Sequence, residues 1–401
     1  MKRIPFLVGL WHRIKECPFF IKFYIVRLFG WMIFPLVGVR APLLGFHKST
    51  KRFLEGGRGT YIELEPLPND MGLTSPDEKM LVNFVAIIPS GRSVFNCGAV
   101  VTPDHRLLTE VSWQDAVLDE SEPLHNSAMR KWRLPKLAYV RGSVAVLSSV
   151  KCQNYYHWMF DILPRFEILR RSGQSVDYYL VNLDTSFQRE SLQLIGIPSE
   201  KIISPTAVCH IRADRLIVPS LPGPLFGQTP YAQACAFLRS EFLRNVKKSL
   251  PTRLLYLSRR DAEERRVLNE EEVIETILAM GFEIKNLSEI PFIEQVELFS
   301  QATVILGPHG AGFSNAVFCC PGTSLIEFMP REWGVDCFKN LASRIPLDYH
   351  VIDCDGGSGT PALHNTYDHV VDISVLKQVL QEVLVCRQTG TGNYLNHLEK
   401  D

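Results

Sequence analysis

From residue 144 onward, short apolar runs with strand character alternate with longer segments of helical periodicity, and this alternation restricts the architecture more than any other feature of the chain. Val144 to Val150 is strand-like and Tyr155 to Arg171 carries helical spacing; a strand at Tyr178 to Val181, a helix over Phe187 to Ile195 and a strand at Leu216 to Pro219 follow. The series resumes with a helix over Tyr231 to Lys248, a strand at Leu254 to Ser258, a helix over Asn269 to Met280, a strand at Phe282 to Asn286 and a helix over Phe292 to Ser300. Val304 to Leu306, Leu325 to Phe328 and Tyr349 to Ile352 add strands, and Ile373 to Val385 adds a last helix. Strands joined through helices lie parallel, with the helices on the sheet faces. Pro222-Gly223-Pro224 interrupts the series and reads as a hinge. A chain of 401 residues also exceeds what one core usually supports. The expected fold is α/β, with two Rossmann-like domains facing a cleft. Short apolar runs between Asn83 and Trp113 predict a small β-rich lead-in. The expected boundaries are 1–50 for a membrane-proximal segment, 51–228 for the first domain with its lead-in, and 229–401 for the second.

The 43 basic side chains are balanced by 43 acidic ones, which argues against a general nucleic-acid binder. Ten cysteines in so long a chain form no disulfide scaffold, no CxxC or Cys/His metal spacing occurs, and a reducing compartment is the simpler expectation. Residues 1–46 are basic and aromatic-rich. Phe19 to Val39 is apolar enough to suggest a span, but Lys22 and Arg27 interrupt it, and Pro35 and Gly38 weaken its far end. Association with an anionic membrane surface fits this composition best; a single anchor and a soluble helical hairpin are the alternatives. No small-residue cleavage site stands out, so no signal peptide is expected.

Three constellations could carry chemistry. In Asn154-Tyr155-Tyr156-His157-Trp158-Met159-Phe160-Asp161-Ile162-Leu163-Pro164-Arg165, the four-residue spacing puts His157 and Asp161 on one helical face as a candidate general-base pair. The structural alternative is a helix start with aromatic core contacts. Pro164 predicts a kink or a late helix start that keeps Asp161 near a loop edge. In Tyr256 to Glu270, a strand end delivers Ser258 and Arg259 into a loop where α/β folds bind ligands, and Arg265 and Arg266 offer further diphosphate donors or pair with Glu263 and Glu264. Asn269 with Glu272 predicts a box-like helix cap. In residues 304–330, an apolar strand meets Gly307-Pro308-His309-Gly310-Ala311-Gly312 and a helix-like segment follows. Glycines at a helix start admit a phosphate to unpaired N–H groups, and His309 adds a donor; a plain tight turn is the alternative. Glu327, at the next strand end, could accept ribose hydroxyls or form a structural salt bridge, and Asn315 could reach a nucleotide or pack on the sheet.

In this order, the three blocks resemble glycosyltransferase family 61. They stand here as His157-Trp158-Met159-Phe160-Asp161-Ile162-Leu163-Pro164-Arg165, Ser258-Arg259 with Arg265-Arg266-Val267-Leu268-Asn269-Glu270, and Gly307-Pro308-His309-Gly310-Ala311-Gly312-Phe313-Ser314-Asn315. The resemblance covers roughly residues 80–385. That family includes plant xylan pentosyltransferases, N-acetylglucosaminyltransferases and many bacterial members. Resemblance implies a GT-B architecture and inverting transfer from a nucleotide sugar, usually a UDP-sugar, to a glycan or lipid-linked saccharide acceptor. It implies Asp161 as base with His157 as orienter or alternative base, and Tyr156, Trp158 and Arg165 on the acceptor side of the cleft. The donor nucleotide would meet Ser258, Arg259, Arg266, His309, Gly310, Ala311, Gly312, Asn315 and Glu327. No cofactor beyond the donor co-substrate and no metal are expected, because Asp353-Cys354-Asp355 has the D-x-D form but lies late, after an apolar strand. A bacterial-type enzyme on the cytoplasmic membrane face is the expected setting, with a Golgi or endoplasmic-reticulum lumen as the alternative. The rival functions are a nucleotide-dependent oxidoreductase, which would want a third glycine that is missing after Gly310 and Gly312, and a non-catalytic glycan-binding protein.

Overall fold

A computed structural model describes residues 46–65, 82–112, 126–131, 134–149, 151–222, 230–330, 335–356 and 368–388. The membrane-proximal segment, the hinge residues Gly223 and Pro224 and the boundary at 228 lie outside them. No helix among the described residues is long and apolar enough to cross a membrane.

Two sheets form. The first contains β1 (Phe46–His47), β2 (Thr60–Glu63), β3 (Phe84–Pro89), β4 (Arg92–Val94), β5 (Ala99–Val101), β6 (Leu107–Leu108), β7 (Ala138–Val146), β8 (Tyr178–Leu180), β9 (Ile202–Ile203) and β10 (His210–Pro219). Parallel pairing runs through β10-β7-β8-β9, while β3 and β4 pair antiparallel with β10. The β-rich lead-in is therefore built into the same sheet. The second sheet has the order β12-β11-β13-β14-β15-β16, with β11 (Arg253–Leu257), β12 (Glu283–Lys285), β13 (Ala302–Pro308), β14 (Ser324–Pro330), β15 (Asp348–Gly356) and β16 (His369–Val370). Its strands are parallel except β16.

The longer helices are α1 (Pro164–Arg171), α2 (Ser186–Leu194), α3 (Ala232–Phe242), α4 (Glu270–Leu278), α5 (Phe292–Ser300), α6 (Cys337–Arg344) and α7 (Ile373–Gln388). Side chains alternate across a strand, so one apolar run feeds two layers. On the second sheet, Tyr256, Val304, Leu306 and Ile326 face α4 and α7, while Leu255, Leu257, Ile305 and Leu325 face the opposite side. On the first sheet, Val144, Val146, Leu216 and Val218 enter one core and Ala145, Leu147 and Ile217 another. Leu255, Leu257, Ile305 and Leu325 share a continuous buried core with Ala145, Leu147 and Ile217, so the inner faces of the two sheets are joined through α1, α2, α3, α5 and α6. Among the polar links across this layer, Glu190 on α2 accepts a 2.6 Å bond from the backbone N–H of Phe292. A carboxylate there meets the positive end of α5.

Two local expectations change. Asn269 does not cap α4 with its side chain; its Nδ2 donates to Val371 O (2.8 Å) and its Oδ1 accepts from Val371 N (3.0 Å), which ties the α7 side of the sheet to α4. The helix over Tyr155 to Arg171 is broken into Tyr155–His157, a π-helical turn Trp158–Ile162 and α1, with Pro164 at the first turn of α1. Proline has no N–H to donate back, so the preceding turn widens, and Leu163 N bonds Trp158 O at 3.0 Å.

His210, fully buried at the start of β10, is held neutral. Its Nδ1 lies 3.0 Å from Pro135 O and its Nε2 3.5 Å from Arg92 Nη1, a neutral-tautomer arrangement that donates on one side and accepts on the other. Burial, and then the Arg92 charge, push its pKa down to about 4. The unfolded chain therefore takes up a proton first as the pH falls. The stability contribution is complete above the ordinary histidine value and is lost as the pH drops towards 4, by an amount on the order of 3 kcal/mol. Urea unfolding near neutral pH and near pH ~4.5 should show a larger loss in the wild type than in His210→Gln. Equal losses would remove His210 from the acid response.

Candidate active site

The chain runs from β11 to β12 on one side and then to β13 on the other, so the strand order reverses between β11 and β13. In open parallel sheets a crevice forms outside the carboxyl ends at such a reversal. Here it is walled by the ends of all three strands, including Ser258, Arg259, Asp261, Asn286, Ser288, Gly310 and Gly312. Ser258 Oγ accepts from Arg260 N (3.3 Å) and turns the chain at the end of β11. The guanidinium of Arg259 lies across Gly310, where any Cβ would collide with it. Gly310 has an extended backbone, so what the position requires is space.

Arg259 makes one hydrogen bond to the described residues, from Nη2 to Glu264 O (3.2 Å), and its Nε has no partner there. Burial, and then the neighbouring Arg265, push its pKa down to about 10. Arg265 reaches that position from a backbone in the left-handed region (φ 58°), which is strained for a residue with a Cβ. Two half-buried cations set side by side repel each other, and an anion between them removes that repulsion. Arg266 is committed elsewhere: its backbone N–H and Nη2 each bond Asp368 at 2.9 Å, and it does not line the crevice.

Beside the crevice, His309 Nδ1 bonds Glu327 Oε1, and Tyr349 donates to Glu327 Oε2 at 2.6 Å. Glu327 is fully buried and His309 is 5% exposed. The carboxylate orients the imidazole and faces inward; it is not part of the crevice wall, where the polar positions belong to Ser258, Arg259, Asp261, Asn286 and Ser288. Burial, and then Glu327, push the Tyr349 phenol up, so it stays a donor.

His157 and Asp161 come from the π-turn segment that follows β7. His157 Nδ1 lies 2.7 Å from Asp161 Oδ2. The aspartate side chain is 6% exposed and the histidine's 13%, so Asp161 is buried behind His157 and does not sit at a loop edge. Ring contacts run from His157 to Tyr156 (5.6 Å), Tyr156 to Phe338 (5.9 Å) and Phe338 to His309 (5.2 Å). The carboxyl ends of the two parallel strand sets thus meet around Phe338, and both histidine–carboxylate pairs flank that meeting point.

Most of the other expected site residues lie inside the protein. Trp158 is fully buried and donates from Nε1 to Ser191 Oγ (2.9 Å), so it is core and does not line a cleft. Arg165, 2% exposed, donates from Nη2 to Val146 O (2.9 Å) and Pro219 O (3.0 Å), closing the carboxyl ends of β7 and β10. Asn315 is fully buried, and its amide is bonded inside the protein. Ala311 starts a 3-10 helix, Ala311–Phe318, which is buried along most of its length. Tyr156 is 7% exposed, and its hydroxyl has no partner among the described residues. Asn286 and Ser288 escaped the sequence reading because their place in the wall depends on strand order. Asp353 lies on β15, and no group of three or more potential metal ligands occurs among the described residues.

Comparison with known proteins bears on the same region. The family model for Glycosyltransferase 61 matches residues 155–326, from the π-turn segment to the end of β14. That segment is similar to glycosyltransferase family 61. Among similar proteins, an EGF domain-specific O-linked N-acetylglucosamine transferase of Drosophila melanogaster is 30% identical over 147 residues, covering 32% of this chain and 27% of that protein. A beta-1,2-xylosyltransferase of Arabidopsis thaliana is 28% identical over 109 residues, covering 24% of this chain and 20% of that protein. An EGF domain-specific O-linked N-acetylglucosamine transferase of Mus musculus is 22% identical over 272 residues, covering 57% and 51%. The chain thus spans between a fifth and about half of the length of the curated relatives it matches.

The glycine turn after β13 makes two positions separable. A Cβ on Gly307 would stand 2.8 Å from the Leu257 carbonyl oxygen, in the backbone of the neighbouring strand, whereas one on Gly310 meets only the movable end of Arg259. Gly307→Ala should lower unfolding free energy by roughly 2 kcal/mol and Gly310→Ala by less than about 1, measured by denaturant titration. Comparable losses would mean that the Arg259 side chain cannot yield.

Proposed function

We propose that this protein is an inverting glycosyltransferase of GT-B arrangement that moves a sugar from a UDP-sugar to a hydroxyl of a glycan or lipid-linked saccharide. The observation carrying the reading is the crevice at the β11/β13 reversal, lined by Arg259, Gly310 and Gly312, with the Arg265 charge acting on Arg259 from nearby. A nucleoside diphosphate suits it: the diphosphate lies between the guanidinium groups, and the nucleoside extends along Ser258, Asn286 and Ser288. Residues 1–46 bring the enzyme to the membrane surface.

In the reaction the acceptor hydroxyl attacks the anomeric carbon from the side opposite the departing diphosphate. The C–O bond to the acceptor forms as the bond to the phosphate oxygen breaks, and the hydroxyl proton passes to a base. The burial order favours His157 as that base, with Asp161 fixing its ring and stabilising the imidazolium, in place of the reverse assignment. The negative charge left on UDP is met by Arg259, Arg265 and the polarised His309. This charge stabilisation supplies what a divalent ion would otherwise do, and UDP-sugar turnover should persist in EDTA.

Calorimetric titration with UDP is the direct test. Wild-type protein should bind UDP, and Arg259→Ala should weaken binding by about tenfold or more, since a hydrogen bond to a charged group contributes roughly 1.5–3 kcal/mol. Gly310→Ala should weaken it in the same direction by displacing Arg259. In UDP-sugar hydrolysis, His157→Ala and Asp161→Asn should each lower kcat by about a hundredfold or more with the UDP Kd unchanged. Wild-type protein that fails to bind UDP would refute the reading.

A further inference from the structure

The His157–Asp161 pair and the crevice are held by different sheets, so transfer requires something that fixes the distance between them. One buried hydrogen-bond chain crosses that gap. The Tyr155 hydroxyl donates to Asn315 Oδ1 at 2.6 Å. Asn315 Nδ2 donates to Gln295 Oε1 (2.8 Å) and to the Gly312 carbonyl (3.3 Å). Gln295 Nε2 then donates to the carbonyls of Leu287 (2.9 Å) and Ile290 (2.8 Å). One end of the chain is thus two residues from His157, and the other ends are Gly312 and Leu287, which both line the crevice. Gly312 and Leu287 also touch, because a Cβ on Gly312 would stand 2.8 Å from Leu287 Cδ1.

The surroundings keep the relay rigid. Asn315 is fully exposed to no solvent and Gln295 is 8% exposed, so water does not compete for these bonds. The Tyr155 ring packs edge-on against Phe187 of α2 (5.1 Å) and Phe292 of α5 (6.3 Å), and α5 carries Gln295. Burial holds the Tyr155 phenol far above its ordinary pKa, so it stays a donor. Every polar atom of the Asn315 amide that is bonded serves the protein, which leaves the residue for holding geometry and not for ligand contact. A buried chain of this kind is costly when incomplete and orienting when complete.

We propose that Tyr155, Asn315 and Gln295 form a positioning relay that sets the His157–Asp161 pair against the donor crevice. The inference rests on the glycosyltransferase reading of the site. It names residues that touch neither donor nor acceptor, and it implies that the two halves of the site are aligned before substrate arrives.

Tyr155→Phe removes one hydroxyl and keeps the ring packing; Gln295→Met removes the contacts to Leu287 and Ile290 and keeps the side-chain volume. Hydrogen exchange of the ligand-free proteins should speed up at 286–290 in both variants, with the β11, β13 and β14 amides unchanged. An unchanged 286–290 segment in Tyr155→Phe overturns the relay, and this arm needs no ligand. With UDP as probe, Tyr155→Phe should bind within about twofold of wild type yet hydrolyse UDP-sugar about tenfold more slowly, because misplacement of the reacting groups acts on kcat. Gln295→Met should weaken UDP binding instead. A Tyr155→Phe enzyme with lowered thermal stability but wild-type kcat would show a merely structural role and refute the proposal. Failure of the wild type to bind UDP refutes the functional reading alone, since the exchange result still decides the relay.

Discussion

The buried layer shared by the two sheets is the constraint on which the rest depends. Strand alternation sends Leu255, Leu257, Ile305 and Leu325 from one sheet and Ala145, Leu147 and Ile217 from the other into a single core. Apolar burial is non-directional, so this layer provides adhesion without alignment. Alignment comes from the few polar bonds inside it. Glu190 fastens the start of α5, and Tyr155 reaches Asn315. Both join α2 or the segment after β7 to the elements that surround the crevice.

Charge is distributed along that frame by the same logic. The interior carboxylates Asp161 and Glu327 are each given a histidine, and Glu327 also takes the Tyr349 phenol, so neither is buried without partners. Arg259 at the crevice has instead a single hydrogen bond to the described residues. Arg259 and Arg265 lie close together, and Arg265 adopts a strained backbone. A protein tolerates local strain and like-charge proximity where the surrounding structure enforces them, and such places concentrate at functional sites. The π turn at Trp158–Ile162 belongs in the same class, since it offsets Asp161 behind His157 just ahead of a proline.

Much of this was legible in the residues. The helix at Phe292–Ser300 falls on its expected span, and the strands of the second half lie within a few residues of their apolar runs, because buried parallel strands bounded by turns carry a strong local signal. The histidine–carboxylate pair four residues apart and the glycine turn were also readable. Pairing between distant segments was not: β3 joins β10 across more than a hundred residues, and no local pattern encodes that partner. The π turn was invisible because apolar periodicity hardly distinguishes a widened turn from a regular one. Trp158 and Arg165 sit beside the reacting pair in sequence, yet Ser191 and the strand carbonyls take their polar groups inward. Likewise the choice between Arg265 and Arg266 turns on Asp368, a hundred residues away.

The shared layer also bears on how the chain is made. During synthesis the first sheet is complete once β10 has emerged, with one face covered by its own residues such as Val144, Leu216 and Val218. Its other face presents Ala145, Leu147 and Ile217, whose full cover includes α5, the Ala311–Phe318 segment and α6. Those residues are translated about a hundred positions later, an interval of several seconds at roughly 5–20 residues per second. Through that interval the nascent first half exposes an apolar face on the ribosome, so its safe assembly calls for a chaperone that shields the face until the second half arrives.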